Sequence, residues 1–108
     1  MEITIHSIRF EASKKLEDFI QKKVNRLSKF NDDVFLADVT LKVVKPEANE
    51  NKDASIKLLL SGTELFVQEI ADTFEEAIGK CVEKLERQVV KLKEKQRTKN
   101  TPNPLKGA

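Results

Sequence analysis

At the start of the chain Ile3 and Ile5 alternate with Glu2, Thr4 and His6, the period-2 pattern of a short strand with one buried face. Beyond Ser13 the period changes. Leu16, Phe19, Ile20, Val24, Leu27 and Phe30 recur at three- and four-residue steps, which predicts an amphipathic helix capped by Ser13 and ending near Phe30. Asn31, Asp32 and Asp33 form a polar break, after which Ala37, Val39, Leu41 and Val43 alternate with Asp38, Thr40 and Lys42 in the clearest strand of the chain. The stretch from Lys45 to Asp53 has Pro46, two asparagines and no apolar period, so it reads as a mobile hairpin loop.

Alternation resumes at Ile56, Leu58 and Leu60. Ser61-Gly62 then gives a turn signal, and Leu65 and Val67 begin a further strand. Asp72 or Thr73 is placed to cap a second helix, because each is followed three residues later by a glutamate, Glu75 or Glu76. The apolar positions of that helix, Phe74, Ala77, Ile78, Cys81, Val82, Leu85, Val89 and Leu92, continue for about five turns. The tail from Thr98 to Ala108, with two prolines and a glycine, is expected to be disordered, leaving residues 1–97 as one domain. The order β-α-β-β-β-α predicts an α+β two-layer sandwich: a four-stranded mixed sheet with both amphipathic helices packed on one face.

Composition narrows the chemistry. No apolar run approaches the ~20 residues of a membrane span. The N-terminus lacks the basic start and apolar stretch of a secretory signal, so a cytoplasmic location is expected. One cysteine, Cys81, and one histidine, His6, cannot build a disulfide or a Cys/His zinc cage. Cys81 falls on the apolar face of the second helix and reads as core, and with three glycines there is no phosphate-cradling loop. Neither an enzyme nor a cofactor, nor a small-molecule substrate, is expected.

The net charge of +2 conceals a segregation of charge along the chain. Residues 13–30 hold six Lys/Arg against two Asp/Glu and residues 79–99 eight against three, whereas residues 31–78 hold four against eleven. Such separation argues for a polyanionic partner. On a wheel of 100° per residue with Ala77 at zero, Lys80, Lys84, Arg87, Lys91 and Lys95 fall between about 280° and 360°. Glu83, Glu86 and Glu94 fall between about 180° and 260°. On the first helix Lys15, Lys22, Arg26 and Lys29 cluster beside the apolar face, and the two helices side by side are expected to pool their cations into one patch that matches a phosphate backbone. Gly79 interrupts the second helix on the side away from the core, at a cost of about 1 kcal/mol relative to alanine.

The block Ala71-Asp72-Thr73-Phe74-Glu75-Glu76-Ala77-Ile78, followed by Lys84-Leu85-Glu86-Arg87-Gln88-Val89-Val90-Lys91-Leu92-Lys93, resembles the ribosome hibernation-promoting factor family. That family includes ribosome-associated inhibitor A, or protein Y, and its older label is sigma-54 modulation protein. The resemblance covers nearly all of residues 1–97, and the length points to the family's short form. Phe74 stands where the family usually has tyrosine, and Gly79 where it commonly has aspartate or asparagine.

The resemblance implies a non-enzymatic protein, monomeric when free, that binds the small ribosomal subunit in the mRNA and tRNA channel and silences translation in stationary phase or stress. Its partners would be 16S rRNA and the neighbouring ribosomal proteins. Lys84, Arg87, Lys91 and Lys93 match the basic positions of the family's second-helix motif, and Lys22, Lys23, Arg26 and Lys29 fall in its basic first helix. With Lys80 and Lys95 from the charge pattern, these ten residues are the candidates for rRNA phosphate contacts. Two alternatives remain open. One is a protein-interaction module whose acidic sheet side, with Asp38, Glu64 and Glu69, docks a basic protein or a transcription factor; the other is a general structured-RNA-binding domain.

Overall fold

The computed structural model describes residues 1–45 and 49–100, with side chains described through Leu92. Strand β1 is Glu2–Ile8, helix α1 Lys14–Asn25, followed by a 3-10 turn at Arg26–Lys29. Strands β2, β3 and β4 are Val34–Val43, Lys52–Leu60 and Thr63–Ala71, and helix α2 is Phe74–Asn100. The strands form one sheet in the order β1-β2-β3-β4, with β1 parallel to β2 and the other pairs antiparallel. This is the mixed sheet and β-α-β-β-β-α sandwich that the apolar periods predict.

Strand alternation fixes which face is covered. Ala37, Val39 and Leu41 of β2, Ala54, Ile56, Leu58 and Leu60 of β3, and Val67 and Ala71 of β4 are buried beneath the helices. From above, α1 contributes Ile20 and Val24, the 3-10 turn Leu27, and α2 Ala77, Ile78, Cys81, Leu85 and Val89. The helices lie side by side, α2 over β3 and β4 and α1 beside β1. The opposite face of the sheet is open, and there Phe66, Ile70 and Ile8 are exposed.

Local chemistry sets the boundaries. Ser13 caps α1, its Oγ accepting from the Leu16 amide at 3.1 Å. Of the two candidate caps for α2 the structure uses Thr73, whose Oγ1 accepts from the Glu76 amide at 3.1 Å. Asp72 turns instead to the hairpin, where its Oδ1 accepts from the Glu50 amide at 2.7 Å. Gly62 makes the β3–β4 turn at φ 73°, a left-handed conformation that is cheap only without a Cβ.

Three boundaries differ from the sequence reading. The first helix does not run unbroken to Phe30: it tightens at Arg26, where Ser28 Oγ bonds back to the Asn25 carbonyl at 2.8 Å and competes with α-helical pairing. β3 starts at Lys52, inside the expected loop, because Asn51 and Asp53 are buried and the Val44 amide bonds the Asn51 carbonyl at 2.8 Å. α2 continues to Asn100, past the Thr98 boundary, since nothing before Pro102 interrupts a helix; residues 101–108, the rest of the expected tail, lie outside the described residues.

Candidate nucleic-acid interface

The cations of the helical layer fall into two groups by what surrounds them. On α1 and its 3-10 turn, Lys22, Arg26 and Lys29 are exposed and form no ion pair among the described residues. The change of helix type brings Arg26 and Lys29 together, because residues three apart eclipse one another in a 3-10 helix. Lys23 is half-buried, its Nζ lying 5.7 Å from the centre of the Phe19 ring in a cation–π contact that holds the ammonium near the surface of α1.

On α2 the cations have acidic neighbours. Lys84 Nζ donates to Glu69 Oε2 at the β4 edge, and Arg87 pairs with Glu83 one turn earlier at 3.4 Å. The Arg87–Glu83 pair is solvent-exposed, with side chains 75% and 66% accessible, and such pairs contribute only about 0.3–0.5 kcal/mol. Arg87 can therefore exchange its carboxylate for a phosphate at little cost. Lys91 is exposed and Lys80 half-buried, both without an ion pair among the described residues. The side chains of Lys93 and Lys95 lie outside the described residues.

The cations of α2 divide between two flanks, Lys84 toward β4 and Arg87 with Lys91 toward Phe30 at the end of the 3-10 turn. Lys84 reaches down to β4, while the opposite flank of α2 meets the end of α1: Asn31 Nδ2 donates to the Val89 carbonyl at 3.4 Å. Phe30 shares a shallow depression with Glu83, Glu86, Arg87, Val90 and Lys91. Glu83 and Glu86 line that depression together with Arg87 and Lys91, so carboxylates and cations of α2 are interleaved where it meets the end of the 3-10 turn. A helical wheel gives charge positions around one axis but not the rotation of that axis against its neighbour, and here Leu85 and Val89, seeking the core, turn the basic side of α2 outward.

The other chemically capable side chains are committed elsewhere. Cys81 is fully buried, its Sγ 3.4 Å from the Ala54 carbonyl, and burial together with the nearby Glu69 charge pushes the thiol up to about 12. Phe74 stacks on Phe10 with ring centres 4.9 Å apart and is buried, so it is not free to stack on a base. On the open sheet face Asp38 accepts from Thr4 Oγ1 at 2.8 Å and lies 3.1 Å from His6 Nε2. Glu64 is 3.9 Å from Lys57. Glu69, expected on that acidic face, is on the opposite one: it pairs in register with buried Ala54 and lies under α2. Among the described residues no group of three or more His, Cys, Asp or Glu is arranged to hold a metal ion, and no helix is long and apolar enough to cross a membrane.

Residues 3–97 match the family described as Sigma 54 modulation protein / S30EA ribosomal protein. The chain belongs to this family. A curated relative, the ribosome hibernation promotion factor of Deinococcus radiodurans, is 31% identical over 101 residues, which are 90% of this chain and 53% of the relative. The chain thus spans about half the length of that relative. The N-terminal domain of Thermus thermophilus Protein Y superposes with a TM-score of 0.74 at 27% identity, covering 85% of this chain and 99% of that domain. A ribosomal subunit interface protein from Coxiella burnetii shares the fold, with a TM-score of 0.77 at 21% identity over 87% of this chain and 99% of its own. The α+β sandwich described above is therefore the sandwich of this ribosome-associated family.

Proposed function

We propose that this chain is a non-enzymatic, cytoplasmic ribosome hibernation factor that, monomeric when free, grips 16S rRNA of the small subunit with its helical layer and blocks the mRNA and tRNA channel. The observation that carries this reading is the exposed, unpaired set Lys22, Arg26 and Lys29, set in a fold whose family is named for the ribosome. Phosphate oxygens bind such cations by displacing condensed counterions, with no need for a cavity or a reacting group.

Glu83 and Glu86 line the depression that Arg87 and Lys91 share with Phe30, so a single run of phosphates laid across both helices there would meet carboxylates. Two separate stretches of backbone, one along α1 and one along Lys84, Arg87 and Lys91, fit the charge layout better. The folded body between them excludes mRNA and tRNA by volume alone. Shutting down translation in starved cells then needs only enough protein to occupy the subunits.

The test is co-sedimentation with purified 30S subunits in rising salt. If the eight described candidates on the helices each displace a counterion, the logarithm of the binding constant falls with the logarithm of salt at a slope of about −6 to −7. Replacing Lys22, Arg26 and Lys29 together by glutamine is expected to cut the steepness by about 2 to 3. Retention that ignores salt, or that survives this triple change with the same slope, contradicts the reading.

A further inference from the structure

Three cations outside the helical strips gather where the sheet ends. Arg9 follows β1, Lys42 is the penultimate residue of β2, and Lys45 lies two residues beyond that strand; with Ile8, Val43 and Val44 they line one depression. All three are exposed, and none forms an ion pair among the described residues. The carboxylates around them among the described residues form no ion pair with the three cations, and those of Asp53 and Asp72 direct their oxygens to neutral amides. Asp53, opposite Lys42 in the β2–β3 ladder, accepts from Gln68 Nε2 with both oxygens, at 3.0 and 2.8 Å. Asp72 is taken by the Glu50 amide, and Glu50, on the returning arm of the hairpin, makes no ion pair with Lys45.

The backbone adds a second observation. Arg9 and Lys45 have φ of 66° and 47°, in the left-handed region where a residue with a Cβ costs roughly 1–2 kcal/mol more than in its ordinary conformations. Glycine or asparagine would sit there more cheaply. The chain instead keeps long cationic side chains at both bends, directly after Ile8 and Val44, and both residues line the same depression.

We propose that Arg9, Lys42 and Lys45 form a phosphate-binding site at the end of the sheet, separate from both helical strips. Three cations at the ends of two adjacent strands, without an ion pair among the described residues, suit a single tetrahedral oxyanion, the arginine offering a fork and the two lysines point charges. The phosphodiester backbone of RNA and a free phosphate ligand share this chemistry. For the RNA source the proposal rests on the function proposed above and gives the protein a third point of attachment.

Titration of the ¹⁵N-labelled full chain, followed by amide chemical shifts, tests it in two arms: inorganic pyrophosphate and a 12-nucleotide single-stranded RNA. Shifts at Arg9, Val44 and Lys45 in both arms support the site and assign it to RNA backbone; shifts there with pyrophosphate alone support it and assign it to a free phosphate ligand. The variant Arg9→Asn/Lys42→Gln/Lys45→Gln, with asparagine chosen because it tolerates the left-handed bend, is expected to abolish these shifts. It should also weaken RNA binding about tenfold at low salt and flatten the salt slope by about 2 to 3. No shift in either arm overturns the proposal. Failure of the wild-type chain to sediment with 30S subunits, with the shifts intact, counts against the ribosomal reading alone.

Discussion

Replacing Glu69 by glutamine separates the role of Lys84 in the fold from its role in binding. Glu69 hangs from β4 beneath α2 with its side chain 19% accessible, and Lys84, 55% accessible, closes over it. Exposed pairs of this kind contribute about 0–1 kcal/mol, and the partial shelter of Glu69 puts this one near the upper end. Glu69→Gln should therefore destabilise the protein by no more than about 1 kcal/mol in urea denaturation. Its effect on RNA binding has the opposite sign. Lys84 must leave Glu69 to meet a phosphate, so removing the competing carboxylate is worth the same ~1 kcal/mol to the complex, about fivefold in affinity at low salt. Anisotropy of a labelled rRNA fragment at 50 mM and 300 mM salt reads both the gain and its screening. The double variant Glu69→Gln/Lys84→Ala should bind no better than Lys84→Ala alone, because the gain exists only through Lys84. Unchanged or weaker binding by Glu69→Gln, with the stability loss as stated, would show that Lys84 does not touch RNA.

Other substitutions probe the scaffold. Gly79→Ala should stabilise the protein by up to about 1 kcal/mol, since a Cβ at that helical position meets nothing within 4 Å; a lower thermal midpoint would refute this. Leu85→Ala, emptying a fully buried position between α2 and the sheet, should cost about 2–5 kcal/mol by denaturant titration. Cys81 keeps its proton to about 12 in the folded state against 9.0 for the unperturbed thiol. The unfolded chain therefore holds fewer protons between those values, and stability should be complete below pH 9 and fall as pH rises toward 12. At pH 8 the thiol should react with a disulfide reagent only as fast as the fold opens, and Leu85→Ala should speed that reaction; labelling at the rate of a free thiol in the wild type would contradict the burial.

The fold was legible because every element writes its own period. Ile3 and Ile5, the run from Ala37 to Val43 and the stripe from Phe74 to Leu92 each match one geometry and clash with the other. What the periods do not carry is competition between local hydrogen bonds. Ser28 shortens the first helix through a bond to the Asn25 carbonyl, and buried Asn51 and Asp53 extend β3 into a stretch that composition marks as loop. The candidate cations were legible as residue types, yet their grouping was not, because Glu69 and Lys84 are 15 residues apart and meet only once β4 passes under α2. The Arg9, Lys42 and Lys45 cluster escaped for the same reason. Lys42 and Lys45 are near neighbours in sequence, but Arg9 joins them only through the parallel pairing of β1 with β2.

That parallel pairing divides the molecule into unequal parts. β2, β3 and β4 are joined by hairpins, whereas Thr4 finds Asp38 across 34 residues, with all of α1 in between. Ile3 and Ile5, the anchors of β1, are only half-buried. The N-terminal strand and its helix should thus come loose as one cooperative unit ahead of the meander and α2. Lys22, Arg26 and Lys29 ride on that unit, whose hold on the rest runs through Ile20, Val24 and Leu27, so a polyanion that gripped them would also staple the N-terminal third onto the rest of the domain.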